Sequence, residues 1–107
     1  MQKLLRLLAD PTRLRILAAL TPEELAVNEI ADTLGMRQPR VSHHLRLLRE
    51  AGALHGRREG SWTFYRNALR GSADSKSLWQ AIETTVRGDP AVAADAERRR
   101  AVLERRR

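Results

Sequence analysis

The placement of proline and glycine constrains this 107-residue chain more than any other feature of it. Asp10-Pro11, Gln38-Pro39 and Asp89-Pro90 put proline at the opening of a helical pattern, where its missing N–H is one of the donors a helix leaves unpaired anyway. Thr21-Pro22-Glu23-Glu24 repeats that opening and predicts another helical turn. Gly35, Gly52 and Gly88 stand where apolar periodicity stops, as residues able to take a left-handed conformation at a helix end. The chain is thereby cut into short helices. Leu4, Leu5, Leu7 and Leu8 fit a first helix turned to a partner element, and a second runs from Asp10 to about Leu20. Val27, Ile30, Ala31 and Leu34 fall at i, i+3, i+4 and i+7, which predicts an amphipathic helix over 27–34. In the helix predicted over 38–51, Val41, Leu45 and Leu48 form one stripe flanked by His44, while Ser42, His43 and Arg46 point elsewhere.

The pattern changes at residue 54. Residues 54–59 and 62–67 read as two short strands joined by a turn containing Gly60, a hairpin studded with Arg57, Arg58 and Arg66. Leu78, Trp79, Ile82 and Val86 then mark another helix, whose stripe needs a cover on so small a domain and reads as dimer core. The last helix opens at Pro90, but Val92, Ala96, Val102 and Leu103 are its only apolar candidates. It is expected to be partly frayed, with Arg98 to Arg100 and Arg105 to Arg107 solvated. One domain accounts for residues 1–107.

Charge says where a partner would sit. The net charge is +7, and residues 37–70 carry eight arginines against Glu50 and Glu59. Residues 1–36 are slightly acidic, so the excess is concentrated in the middle third, where every cation is arginine, the side chain shaped for phosphate and guanine. A polyanion is the expected partner. The absence of cysteine excludes disulfides, thiolate metal ligands, iron–sulfur clusters and cysteine nucleophiles. The Leu4–Leu8 stretch is too short for a signal peptide or a membrane span, so a cytoplasmic chain without a membrane partner is expected. No Ser/His/carboxylate grouping and no glycine-rich phosphate loop suggests an enzyme. His43 and His44 diverge by about 100° and cannot chelate one ion. His44 beside the apolar stripe reads as a packing residue, and Asp89 with Asp95 offers only a weak carboxylate site for a hard cation. No metal and no cofactor are expected.

Helix, glycine turn, helix and basic hairpin form the layout of a winged helix-turn-helix, an α+β but mostly α fold. Residues 27–51 are its helix-turn-helix and 54–67 a two-stranded wing. The second helix enters the major groove with short polar side chains near its N-terminus. Gln38, Ser42 and His43 are the expected readers of base edges. Arg37, Arg40 and Arg46 are expected on phosphates or a guanine, and Arg57, Arg58 and Arg66 on the DNA backbone near the wing.

Three motifs in order carry a family resemblance: Asp10-Pro11-Thr12-Arg13-Leu14-Arg15-Ile16-Leu17, the stretch from Gln38 to Gly52, and Arg57-Arg58-Glu59-Gly60 with Tyr65. Over residues 3–86 the chain resembles ArsR/SmtB-type bacterial transcriptional regulators. The resemblance implies a homodimer joined through the first and C-terminal helices, segments 1–9 and 73–107, with Leu4, Leu5, Leu8, Leu78, Trp79, Ile82 and Val86 at the interface. It implies repression of an operon through an inverted-repeat operator in double-stranded DNA until an effector releases it. Many metal-sensing members carry cysteines in the segment corresponding to Glu24–Ile30, where this chain has Ala26 and Asn28. The effector is therefore expected to be a small molecule or another agent that needs no thiolate. The alternatives are an interaction module whose basic face docks an acidic partner, and a sensor using only carboxylate and histidine ligands.

Overall fold

A computed structural model describes residues 2–71 and 73–106. Its elements are α1 (Gln2–Leu8), α2 (Pro11–Ala19), β1 (Leu25–Ala26), α3 (Val27–Leu34), α4 (Gln38–Glu50), β2 (Leu54–Glu59), β3 (Trp62–Asn67), α5 (Ala73–Val86) and α6 (Pro90–Glu104). Local chemistry sets most of these boundaries. Asp10 accepts the amide protons of Thr12 (2.8 Å) and Arg13 (3.2 Å) to open α2, and Asp89 accepts that of Ala91 (2.9 Å) to open α6. Gly35 ends α3 at φ 66°, a backbone conformation that a side chain would strain.

Thr21-Pro22 departs from expectation. No helical turn forms there; the chain runs on into β1, which pairs antiparallel with β3 through Leu25↔Tyr65 and Ala26↔Phe64. The sheet consequently has three strands, in the order β1-β3-β2. A tertiary gain and a local one outweigh the opening signal: Leu25 and Ala26 are both buried, and the Ala26 amide donates to Glu29 Oε1 (2.9 Å) as α3 begins.

The core gathers Ile16, Leu17 and Leu20 around Ile30 and Leu34 of α3 and Val41, Leu45 and Leu48 of α4. Leu8 (4% exposed) and Trp79 (3%) join the same cluster. Three residues expected at a dimer interface, Leu8, Trp79 and Val86, are thus already buried within one copy. The helical stripe that carries Trp79 is wide enough to cover α2 as well as face outward, and spacing alone does not separate the two sides.

The end of the chain is a second correction. α6 is docked, not frayed. Asp95, 2% exposed, accepts two hydrogen bonds from Arg15 and one from Arg98, all at 2.8 Å. Arg15 and Arg98 also donate to the carbonyls of Leu34 (3.1 Å) and Thr33 (2.7 Å) at the end of α3, and Arg99 to those of Ala18 and Ala19 at the end of α2. Cations at helix C-termini satisfy carbonyls that the helix leaves open. Hydropathy does not register this kind of docking, which is why the segment reads as loose from its sequence. Arg105 pairs with Asp32 and Arg106 with Glu29; Arg107 lies outside the described residues.

Candidate nucleic-acid interface

Burial along α4 separates its two faces. Val41, His44, Leu45 and Leu48 are buried, whereas Gln38, Arg40, Ser42, His43 and Arg46 are exposed, as is Arg37 at the N-cap. Arg37 makes no side-chain cap, and Arg37 and Arg40 stand exposed at the positive end of the helix dipole. Arg46 Nη2 donates to His43 Nδ1 at 3.4 Å on the same exposed face. His44 turns inward and accepts from Arg13 Nε at 3.2 Å. Burial holds its pKa below the ordinary 6.5, with the Asp10 charge opposing and Arg13 assisting. Since a guanidinium only donates, Nδ1 must be unprotonated and the ring neutral.

The wing sorts its arginines by face, because directly paired residues of antiparallel strands share one. His55↔Arg66 and Arg57↔Phe64 lie on one face; Gly56↔Tyr65 and Arg58↔Thr63 lie on the other. The second face adjoins α4: a Cβ on Gly56 would come within 3.2 Å of the guanidinium carbon of Arg49. Arg58 thus shares the side of α4, while Arg57 and Arg66 do not. Arg66 and Arg58 are exposed. Arg57, expected beside DNA, is paired in this structure with Glu24 (2.9 Å) and Glu59 (2.6 Å). Glu24 and Arg49 escaped the sequence reading, since nothing local marks a loop glutamate or a helix-end arginine as neighbours of a hairpin.

A helix-turn-helix domain family matches residues 8–57. The arsenic resistance transcriptional regulator ArsR1 of Pseudomonas putida is 40% identical over 83 residues, 67% of this chain and 65% of that protein. The transcriptional repressor SdpR of Bacillus subtilis is 31% identical over 65 residues, covering 61% of this chain and 72% of that protein. Among solved structures, the homodimeric winged helix-turn-helix DNA-binding domain Mb0332 of Mycobacterium bovis, described as a possible ArsR-family regulator, superposes with a TM-score of 0.69. It is 30% identical and the match covers 83% of this chain and 80% of that one. The chain belongs to the ArsR/SmtB family of winged helix-turn-helix regulators. Against several curated relatives it spans about half to just under two thirds of their length.

This ArsR/SmtB chain departs from thiolate-bearing relatives where α3 begins. Ala26 is buried in β1 and Asn28 is exposed. The carboxylates considered for a hard cation are engaged: Asp95 by two arginines, Asp89 by the α6 amide. Asn28 instead borders an open cleft of about 620 Å³ between the wing, α3 and the end of α6, with Trp62 and Phe64 on its wing side. Among the described residues no helix is long and apolar enough to cross a membrane.

Proposed function

We propose that this chain is a homodimeric, sequence-specific DNA-binding transcriptional repressor, with residues 1–107 acting as one cytoplasmic DNA-binding domain. The observation that carries the reading is the exposed polar and basic face of α4, opposite a fully buried apolar stripe. Gln38, Ser42 and His43 read base edges; Arg37, Arg40 and Arg46 hold phosphates or a guanine, and Arg58 and Arg66 the backbone beside the wing. Two copies join across the α1–α5 groove lined by Leu5, Leu14, Leu78 and Ile82, where Leu5 is 46% exposed; Leu4 of the same helix is partly buried against the core. The homodimeric state of the Mycobacterium bovis domain supports this. Paired copies then match an inverted repeat. With no cysteine in the sequence, an agent that needs no thiolate releases the DNA.

Footprinting and gel shifts with duplex from upstream of its own gene test the reading. Protection of an inverted repeat, and a large affinity ratio over scrambled duplex, are expected. Equal affinity for both duplexes overturns it in favour of a basic face that docks polyanions without reading sequence.

A further inference from the structure

Phe64 of the wing is flanked by two guanidinium groups from distant parts of the chain. Arg57 of β2 lies 5.0 Å from the ring centroid and Arg106, beyond the end of α6, lies 5.7 Å from it. Both grip one short acidic segment. Arg57 donates through Nε and Nη2 to Glu24 and through Nη1 to Glu59. Arg106 donates to both carboxylate oxygens of Glu29 and, at 2.8 Å, to the backbone carbonyl of Glu24. The entry into the helix-turn-helix is therefore tied to the wing on one side and to the chain's end on the other.

We infer that Arg57 and Arg106 form a positioning clamp for DNA binding, fixing the angle of the wing to α4 through Phe64 and the Glu24–Glu29 segment. The inference rests on the DNA-binding reading above and withdraws Arg57 from the phosphate contacts. Three observations support it. Arg57 shares its wing face with the exposed Arg66, but its guanidinium is held over Phe64. Each of its three guanidinium nitrogens already donates to a carboxylate, and these hydrogen bonds, to Glu24 foremost, hold its pKa above the ordinary arginine range. The hairpin also needs a brace: β1 pairs with only two residues of β3, and a two-stranded ribbon is marginal alone. A single exposed ion pair would contribute little. Two guanidinium groups over one aromatic ring, held by three carboxylates, act as a network.

The test uses the full chain with Arg57→Gln, Arg57→Lys, Arg106→Gln and the Gln/Gln double variant. Duplex from upstream of its own gene is titrated across salt concentrations, and amide exchange is followed along β2 and β3. Each single variant should bind about two- to five-fold more weakly, the scale of an exposed charge network. The double variant should be no worse than the weaker single. The salt slope should stay unchanged, because neither arginine neutralises a phosphate. Arg57→Lys, which keeps the charge but lacks the fork, should match Arg57→Gln. Amides of β2 and β3 should exchange faster in all four variants while those of α4 do not.

A slope reduced by about 1 in Arg57→Gln, with rescue by lysine, overturns the inference and makes Arg57 a phosphate contact. Additive single effects, or unaltered exchange in the wing, overturn it as well while leaving the DNA reading intact. Failure of the unaltered chain to bind duplex overturns both.

Discussion

Ser42 and His43 are exposed on α4, while Asp95 is almost wholly enclosed; the two kinds of residue respond to substitution in opposite ways. Ser42→Ala with His43→Ala should leave thermal stability unchanged and lower discrimination between operator and scrambled duplex by about 1–3 kcal/mol per lost base contact. Gel shifts on both duplexes read this directly. Unchanged preference would remove these side chains from the set of base readers. Asp95→Ala strips Arg15 of its bidentate partner where that side chain is only 18% exposed. It should cost about 2–4 kcal/mol, below the range for a fully buried pair because Arg15 keeps the Leu34 carbonyl. Denaturant unfolding measures the loss, and a cost under about 0.5 kcal/mol, ordinary for a surface site, would mean that Asp95 does not hold α6 in place.

At the scale of elements, α4 is a polar reading face on an apolar anchor, and its one buried titratable group, His44, makes the anchor sensitive to acid. The folded pKa lies below the ordinary 6.5, so in mild acid the unfolded chain binds a proton that the folded chain refuses. Stability is therefore full above about pH 6.5 and falls as pH drops toward the folded pKa. Glu29 acts in the same direction at lower pH: burial pushes its pKa up, but the hydrogen bonds from Arg106 and the Ala26 amide outweigh this and leave it below 4.5. Its contribution is present above that value and lost as pH falls through the lower folded one. His44→Gln should flatten the decline in stability that begins as pH falls below about 6.5, without altering the later one that Glu29 contributes below 4.5. Chemical denaturation at a series of pH values checks this, and an unchanged profile would assign the upper step to another group.

For the whole molecule, the proposed function gives the exposed side of the α1–α5 groove and the α4 face separate tasks, assembly and recognition. Leu5→Glu with Ala81→Glu places charges on two exposed positions of the groove and leaves the packing of Ile82 and Trp79 against the core untouched. The variant should sediment as a folded monomer and lose the tight operator complex, because half-site binding forfeits the linkage between two copies. A dimer that persists would locate the interface elsewhere. The charge distribution belongs to this scale too. The described arginines at the end of the chain are mostly paired with Asp32, Glu29 and Asp95 or with carbonyls, whereas Arg37, Arg40, Arg58 and Arg66 stand exposed on α4 and the wing.

Residues close together in the sequence announced α3, α4 and the hairpin, because a period of 3.6 or 2, an aspartate cap and a left-handed glycine are local properties. They also announced the inward turn of His44 and the outward turn of Ser42 and His43, since both follow from angle around one helix. Tertiary packing alone decided that Leu25 and Ala26 become a strand, that Trp79 closes the core of its own copy, that α6 docks through arginine, and that Arg57 turns to Glu24. Arg15 and Asp95 are 80 positions apart, and Arg57 and Glu24 are 33 apart. At such separations a charged residue has the same local pattern whether it meets solvent, phosphate or a carboxylate, and only the path of the chain in space chooses among them.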